Sequence, residues 1–282
     1  MHQKRLPLLT TSISMALLST LALPLSGYAA DAAAEAEEMV PSVPDPARFG
    51  PVRQQLHDWE FVIGAGAMYK PEYEGSDQME ISPVPYISAT FFDRVTVDPG
   101  GVEIKTYEQG AFKFDINIGY DSGRDEDDSD DLRGMGDVDG GVSVGGKATL
   151  NYGIADFFVS VDKTIGGSDA LLGKVGVELT QPLSEKFILG ASASATFADK
   201  NYMESYFGVD SGQSARSGYR EYKAGAGVKS VDVGVSATYL FNDNWVLRGE
   251  QKLGILVGDA ADSPIVKEKL QSTTMVVLGY RF

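Results

Sequence analysis

Residues 112–120 read Phe112-Lys-Phe-Asp-Ile-Asn-Ile-Gly-Tyr120, with an apolar side chain at every even-numbered position. The odd-numbered positions between them carry Lys113, Asp115, Asn117 and Gly119. Strict alternation places the two kinds of side chain on opposite faces of a strand. The segment therefore predicts a β-strand with one apolar face and one polar face.

The same two-residue period recurs from residue 59 to the end of the chain. Apolar faces of this kind run over residues 59–69, 187–197, 231–239, 245–255 and 276–282. Aromatic side chains stand near the ends of these faces, and small or aliphatic side chains lie between them. Aromatic girdles around an apolar band are typical of the lipid-facing surface of a membrane barrel. A soluble sandwich also alternates, but it has no need of aromatic side chains at both ends.

The spacing of these faces predicts twelve strands. We expect them near residues 59–69, 80–92, 94–99, 101–107, 111–120, 141–151, 155–164, 171–182, 187–198, 225–240, 245–256 and 272–282. Closed single-chain barrels have an even number of strands. The predicted fold class is therefore all-β: a transmembrane antiparallel up-and-down β-barrel of about twelve strands, with ten as the next choice.

Short turns and long connections fall at opposite ends of the predicted barrel. If odd-numbered strands run outward from the periplasm, the short turns near 93, 108–110, 152–154, 183–186 and 241–244 all lie at the periplasmic end. The long connections, 70–79, 121–140, 199–224 and 257–271, then lie outside. The least regular place is 94–107, which Pro99-Gly100-Gly101 divides. A single strand there would give eleven strands and would put the acidic loop in the periplasm.

The N-terminal part of the chain has a different character. Lys4 and Arg5 precede an apolar run, and small residues follow it, which is the layout of a secretory signal peptide. We expect a signal peptide over 1–29, cleaved after Ala29 or slightly later, with an uncleaved anchor as the alternative. Residues 30–58 are rich in alanine, proline and acidic residues and predict a flexible periplasmic tail, either a spacer or a docking arm. The barrel, 59–282, then lies in the outer membrane of a Gram-negative bacterium.

Composition excludes several classes of protein. The 24 Lys and Arg residues against 40 Asp and Glu give a net charge of -16, which disfavours nucleic acid as a partner. The chain has no cysteine, so it has no disulfide and no thiolate metal site. Its histidines are His2 and His57, and His57 precedes the first predicted strand. We therefore expect no enzyme and no cofactor.

The register predicts charged side chains inside the barrel. Seven are acidic and seven are basic: Glu60, Glu103, Asp115, Asp162, Glu178, Asp232, Glu250, Lys105, Lys113, Lys147, Lys174, Arg248, Lys252 and Arg281. Such balance predicts a network of ion pairs that fills a small lumen. Inward glycine and serine residues leave a narrow channel open as the alternative.

Much of the negative charge falls in the predicted loop at residues 121–133. Carboxylate oxygens bind Ca²⁺ and Mg²⁺, and the weak candidates for such ligands are Asp125, Asp127, Asp128, Asp130 and Asp131. The loop lacks the glycine and the terminal glutamate of a helix-loop-helix calcium site. A solvated acidic loop without a metal is the preferred interpretation.

Several segments resemble a known family. They are 64–76 (Gly-Ala-Gly-Ala-Met-Tyr-Lys-Pro-Glu-Tyr-Glu-Gly-Ser), 132–137, 202–209, 213–218 and 256–266. Together they resemble the MipA/OmpV family of outer-membrane proteins, the MltA-interacting scaffold proteins. The resemblance implies an outer-membrane barrel and, for one type of member, a scaffold that joins a lytic transglycosylase to a murein synthase. The family pattern includes no catalytic residue that could be transferred to this sequence. Other members of the family are described as surface antigens or as linked to osmotic adaptation.

Two groups of residues stand out within the resemblance. In the outer loops they are Tyr202, Tyr206, Phe207, Arg216, Asp259, Asp262 and Pro264. We expect Tyr202, Tyr206 and Phe207 to pack over the barrel mouth. At the C-terminus, Tyr280 and Phe282 resemble the assembly signal of bacterial outer-membrane barrels.

The leading functional hypothesis is a non-enzymatic scaffold or structural protein of the cell envelope that recruits murein-remodelling enzymes. Its expected partners are outer-membrane lipid, lipopolysaccharide and periplasmic murein enzymes. One alternative is a narrow channel for small solutes. Another is a surface antigen or adhesin whose acidic loop binds cations.

Overall fold

The computed structural model of the protein describes residues 59–282, with side chains from Phe61 onward. The expected signal peptide (1–29), the expected tail (30–58) and the side chain of Glu60 lie outside these described residues. Twelve antiparallel strands form one closed barrel in chain order, and the last strand pairs with the first. The prediction of a twelve-stranded antiparallel barrel is therefore confirmed.

The strand bounds follow the two-residue period of the sequence. The strands are β1 (Trp59–Pro71), β2 (Met79–Phe91), β3 (Val95–Asp98), β4 (Gly101–Gln109), β5 (Phe112–Asp121), β6 (Gly141–Tyr152), β7 (Ala155–Ile165), β8 (Leu171–Pro182), β9 (Phe187–Ala198), β10 (Gly227–Leu240), β11 (Trp245–Leu256) and β12 (Leu270–Arg281). Pro99 and Gly100 separate β3 from β4. The eleven-strand alternative is therefore wrong.

The two ends of the barrel differ in the length of their connections. Turns of two to four residues, which include 110–111 and 241–244, join strands at one end, which we call the turn end. The opposite loop end carries the long connections 72–78, 122–140, 199–226 and 257–269, with shorter ones at 99–100 and 166–170. Because β1 begins and β12 ends at the turn end, the chain that precedes β1 joins the barrel there.

The outer face of the barrel is apolar. Val144, Val161, Val175 and Val233 are half exposed on β6, β7, β8 and β10. Their sequence neighbours on either side point into the barrel. Exposed aromatic side chains stand at both ends of this band: Phe112, Tyr152, Tyr239, Trp245 and Phe282 at the turn end, and Tyr69, Tyr120 and Phe197 at the loop end. This is the surface that a lipid bilayer requires of a barrel.

The seam between β1 and β12 closes the barrel. Eight residue pairs join the two strands, from Val62 opposite Arg281 to Tyr69 opposite Thr274. A Cβ atom on Gly64 would lie 2.5 Å from the carbonyl oxygen of Leu278, far inside van der Waals contact. A Cβ atom on Gly66 would lie still closer to the carbonyl oxygen of Val276. Glycine is therefore needed at both positions along the seam, which gives a physical reason for these two glycines of the 64–76 motif.

Short helices occur only in the loop-end connections of the described chain. They are α1 (Lys200–Phe207), α2 (Ser211–Ser217) and α3 (Gly258–Ala261), with 3-10 turns over Glu126–Asp128 and Asp130–Leu132. The side chains of Asp199 and Asp210 accept hydrogen bonds from the first turns of α1 and α2, as N-caps do. Within residues 59–282, no helix has the length and hydropathy to cross a bilayer.

Val233 and Ser192 test the assignment of the two faces. Val233 is half exposed on the outer face of β10, and Ser192 of β9 lines the lumen. We expect Val233→Lys to lower the free energy of unfolding by about 2–4 kcal/mol, because the ammonium group would lie in hydrocarbon. We expect Ser192→Lys to change it little, because the lumen is polar. Urea unfolding in lipid vesicles measures both, and equal losses would contradict the assignment.

Candidate functional site: the cap and the lumen

The four long connections pack into one layer over the loop end, which we call the cap (72–78, 122–140, 199–226 and 257–269). Its core is a buried cluster that joins α1, α3 and neighbouring strand ends, and it includes Tyr202, Met203, Tyr206, Phe207, Ala260 and Ala261. A second buried cluster joins three connections through Met135, Val209 and Ile265. The structure therefore places Tyr202, Tyr206 and Phe207 over the barrel mouth, inside a packed core.

Hydrogen bonds between segments that are distant in the sequence hold the connections of the cap together. The hydroxyl of Tyr73 donates to the carbonyl of Ile265 at 2.8 Å, and the hydroxyl of Ser263 donates to the carbonyl of Phe207 at 2.6 Å. Burial raises the pKa of the Tyr73 hydroxyl above its ordinary value, and the negative charge of Asp131 adds to the shift. The hydroxyl therefore keeps the proton that it donates to Ile265.

A polar cluster ties the cap to the barrel beneath it. The ammonium group of Lys229 in β10 lies 2.5 Å from Glu74 of the β1–β2 connection and 4.8 Å above the ring of Tyr202. The hydroxyl of Tyr202 donates to the same Glu74 carboxylate at 2.9 Å. The Tyr206 ring stacks on Tyr202 at 4.4 Å, and its hydroxyl donates to Asp121 at the end of β5. Helix α1 is therefore held from below by the ends of β5 and β10 and by the β1–β2 connection.

The acidic loop satisfies several of its carboxylates internally. Glu126 accepts hydrogen bonds from the backbone N–H groups of Gly134 and Gly136. Of the weak metal candidates, Asp128 accepts from the N–H of Asp125, Asp130 pairs with Arg133, and Asp131 pairs with Lys267. Asp127 lies beside Asp128 in the 3-10 turn Glu126–Asp128. Among the described residues, no three acidic or histidine side chains are grouped to hold a metal ion.

The other residues singled out in the outer loops link segments of the cap. Arg216 of α2 donates to the carbonyl of Gly134 at 3.1 Å, and Asp259 accepts from the N–H of Gly225 at 2.7 Å. Asp262 pairs with Lys269 at 3.3 Å. Pro264 stands between Ser263 and Ile265, which are both buried. These contacts give the residues roles in loop packing.

Inside the barrel, several charged side chains form ion pairs, within one strand or between strands. The pairs are Lys147–Glu178 at 3.1 Å, Arg248–Glu250 at 2.7 Å and Lys252–Asp232 at 3.7 Å. Asp115 lies directly across from Lys147 in the β5–β6 register. Lys174 lines both of the cavities described below. The structure therefore brings together most of the charged side chains expected in the lumen.

Three basic side chains expected in the lumen take partners near the turn end. Lys105 pairs with Asp93 at 3.3 Å, Lys113 pairs with Glu108 at 3.6 Å, and Arg281 donates to the carbonyl of Asp243 at 2.8 Å. The register still places them on the predicted inward face, since Lys105 lies across from Asp115 and Arg281 across from Val62, but none of the three lines either of the cavities described below. The physical reason is that the register fixes the face of a side chain, whereas its height along the barrel decides which partner it reaches.

The lumen is only partly filled. One cavity of about 220 Å³ lies among β4–β11, and a second of about 170 Å³ lies beneath the cap. Both are lined by Ser160, Asp162 and Lys174, so they meet at the wall formed by β7 and β8. Their combined lining carries eight acidic and five basic side chains: Glu74, Glu103, Asp115, Asp121, Asp162, Glu178, Asp232, Glu250, Lys147, Lys174, Lys229, Arg248 and Lys252. The cavities are therefore polar with an excess of negative charge.

The aromatic residues at the C-terminus belong to the girdle of the turn end. Tyr280 contacts Trp245 and Phe282 edge-on, with ring centroids 5.1 Å and 4.9 Å apart. The backbone N–H of Phe282 donates to the carbonyl of Phe61 in β1 at 3.0 Å. The residues that resemble an assembly signal therefore take part in closing the barrel.

Glu74, Lys229 and Tyr73 were not identified from the sequence as parts of a site. Glu74 and Lys229 are 155 positions apart, and neither belongs to a local pattern that points to the other. Glu74 and Tyr73 do lie inside the 64–76 motif. That motif was the only signal that could have singled them out.

Comparison with known protein families identifies the family of this chain. A family model described as "MltA-interacting protein MipA" matches residues 63–282. The chain belongs to the MipA family. The resemblance seen in the sequence is therefore confirmed, and this MipA-family protein is an outer-membrane barrel. No curated protein sequence matches the chain.

Solved outer-membrane barrels resemble the chain only distantly. A bacterial polysaccharide outer membrane secretin is 10% identical, with 81% of this chain and 100% of that chain covered and a TM-score of 0.43. OmpF of Salmonella typhi in complex with daunomycin is 8% identical, over 79% and 97%, with a TM-score of 0.39. The channel DcaP of Acinetobacter baumannii is 10% identical, over 79% and 96%, with a TM-score of 0.32. The evidence for the barrel architecture of this chain is therefore its own strand pairing.

Phe207 tests whether the cap is a packed unit. Its side chain is fully buried in the cap core, and Phe207→Ala leaves a cavity that costs about 3–5 kcal/mol of packing free energy. We expect trypsin to cleave the variant at Arg216, Arg220 or Lys223 much faster than the parent, while the barrel keeps its heat-modifiable mobility. Glu221→Ala, at an exposed position of the same connection, is the control. Equal cleavage of all three proteins would contradict a packed cap.

Proposed function

We propose that this MipA-family protein is a non-enzymatic scaffold of the outer membrane. In this proposal the barrel is an anchor, and its turn end faces the periplasm. There it holds a murein-degrading transglycosylase and brings it to a murein synthase. The signal peptide over residues 1–29 exports the chain and is removed, and residues 30–58 act as a spacer.

The packed cap is the observation that carries this proposal. Four connections meet over the loop end, and Phe207, Met203 and Ile265 are fully buried among them. A solute on that side meets a folded layer fixed by Tyr73, Ser263 and other hydrogen-bonding side chains. The loop end is therefore poorly suited to rapid passage, which favours an anchor over an open pore.

The turn end has the properties of a docking surface for a periplasmic partner. Its turns are short, and short connections hold their side chains in fixed positions. They present charged side chains of both signs, among them Asp93, Arg94, Glu185 and Lys186. The family description names an interaction with MltA, and a periplasmic enzyme would meet this end of the barrel.

A narrow channel is the second candidate, and the two cavities favour it. They meet at Ser160, Asp162 and Lys174, and their lining is net negative. A channel of this kind would pass small cations in preference to anions, and it would give discrete conductance steps in planar bilayers. The third candidate, a cation-binding adhesin, has less support because Glu126, Asp128 and Asp131 already have partners within the protein.

Direct binding tests the scaffold. We expect purified MltA to bind the mature protein in lipid nanodiscs and to bind equally well when residues 31–58 are deleted. We expect Glu185→Lys combined with Asp243→Lys to weaken binding about tenfold, because these charges lie in turn-end connections and charge reversal at an interface is unfavourable. Biolayer interferometry measures all three proteins.

Asp127→Lys combined with Glu221→Lys is the matched control, because these two exposed positions give the same change of charge at the loop end. We expect this variant to bind MltA like the parent. Absence of MltA binding in every protein would overturn the scaffold. An equal loss in the variant with Asp127→Lys and Glu221→Lys would overturn the assignment of the docking surface to the turn end.

A further inference from the structure

One charged side chain lies on the lipid-facing side of the barrel. Lys163 of β7 alternates with Val161 and Ile165, which are both exposed on the outer face. The strand register places Lys163 in one outward row with Val144 of β6 and Leu171 of β8. At every other outward position of the twelve described strands, the residue carries no charge. This lysine is therefore an exception in a wall that otherwise suits hydrocarbon.

Lys163 lies close to the depth of the aromatic girdle at the loop end. Its outward neighbour Ile165, the last residue of β7, is across from Val142. Val142 is in turn across from Tyr120, which belongs to that girdle. A lysine is costly at the bilayer midplane but is tolerated near the interface, where its long side chain carries the ammonium group to the headgroups. The charge of Lys163 is therefore presented to lipid headgroups.

The ammonium group of Lys163 forms no ion pair with a carboxylate among the residues whose side chains are described. It donates to the backbone carbonyl of Asp169, in the connection between β7 and β8. The side-chain amide of Asn201 donates to the same carbonyl at 3.0 Å. An ammonium group has three N–H donors, so Lys163 keeps donors for a ligand at the membrane surface.

The start of α1 adds polar groups beside this lysine. Lys200 and Asn201 are exposed in the first turn of the helix. Two acidic side chains of the same region already have partners, since Glu204 pairs with Lys200 at 3.4 Å and the Asp169 carboxylate accepts a backbone N–H of its own connection at 3.1 Å. The positive charge of Lys163 therefore stays available for an anion.

The outer face has a shallow depression next to Lys163. Gly173 of β8 faces the lipid directly between Val161 and Phe197. It is the next outward position after Leu171, which is across from Lys163. A Cβ atom on Gly173 would lie 3.9 Å from its nearest neighbours, so packing does not require glycine there. The missing side chain leaves room for an acyl chain below the ammonium group.

An anionic lipid headgroup fits this arrangement. Lysine binds phosphate as a point charge, and basic side chains at the membrane surface attract anionic lipids. In the orientation of the proposed function, the loop end lies in the outer leaflet of the outer membrane. The main lipid of that leaflet is lipopolysaccharide, and its lipid A anchor carries phosphate groups and several acyl chains.

We propose that Lys163 binds a phosphate group of lipid A. One acyl chain lies over Gly173, and the exposed side chains of Lys200 and Asn201 contact the headgroup. The site rests on the proposed orientation of the barrel, with the loop end at the cell surface. It is independent of MltA binding at the turn end.

Native mass spectrometry with purified lipid A tests the site. Lys163→Gln removes the charge, Lys163→Arg keeps it, and Lys223→Gln removes the charge of another exposed lysine of the cap. We expect the parent, Lys163→Arg and Lys223→Gln to retain one lipid A molecule. We expect Lys163→Gln to retain about tenfold less, because a charge-assisted contact is lost. Heat-modifiable mobility shows that each variant is folded.

Lipid A without phosphate groups is the matched control ligand. We expect the parent to retain it as poorly as Lys163→Gln retains phosphorylated lipid A. Equal retention of the two lipids by the parent, or equal retention of phosphorylated lipid A by Lys163→Gln and the parent, would overturn the proposal.

Photo-crosslinking in cells separates a failure of the site from a failure of the orientation. The photoreactive residue p-benzoylphenylalanine replaces Leu171, across from Lys163, or Leu179, which is exposed on the same face of β8 nearer the turn end. We expect lipid A adducts at position 171 and phospholipid adducts at position 179. The reverse pattern would overturn the orientation on which the proposed function depends. Phospholipid adducts at both positions would overturn the lipid A site alone.

Discussion

The pairing of β1 with β12 is the interaction on which the rest of the structure depends. Backbone N–H and C=O groups in hydrocarbon need partners within the protein, so a sheet spans a bilayer only when it closes on itself. Here the closing seam runs from Val62 opposite Arg281 to Tyr69 opposite Thr274, and Gly64 permits the close approach. Closure also fixes which side chains face lipid, because a slip of one residue would exchange the two faces.

The two ends of the closed barrel differ in structure. The long connections at the loop end fold into the cap, and the Lys229–Glu74 ion pair beneath Tyr202 ties this layer to the wall. The turn end keeps short connections and receives the chain that precedes β1. A barrel that is sealed on one side and rigid on the other is well suited to hold a partner.

The sequence predicts the strands well because each of them carries a periodic signal. All twelve were expected, and the bounds differ by about two residues, as at Gly227 and Leu270. The partners of Lys105, Lys113 and Arg281 could not be predicted, because periodicity fixes the face of a side chain and leaves its height along the barrel open. The cap pair Glu74–Lys229 joins segments that no local pattern connects. The strand register and the packing of the loops determine these contacts. Neither of them produces a periodic pattern in the sequence.

Hydrogen–deuterium exchange of the mature protein in nanodiscs tests most directly whether the cap is a folded seal. Amides of α1 between Met203 and Phe207 bond within the helix and lie under a buried core. The account predicts that they exchange over hours, as slowly as the amides of β10. Exchange within seconds, at the rate of an unfolded loop, would contradict a sealed loop end. The open channel would then be the better-supported function.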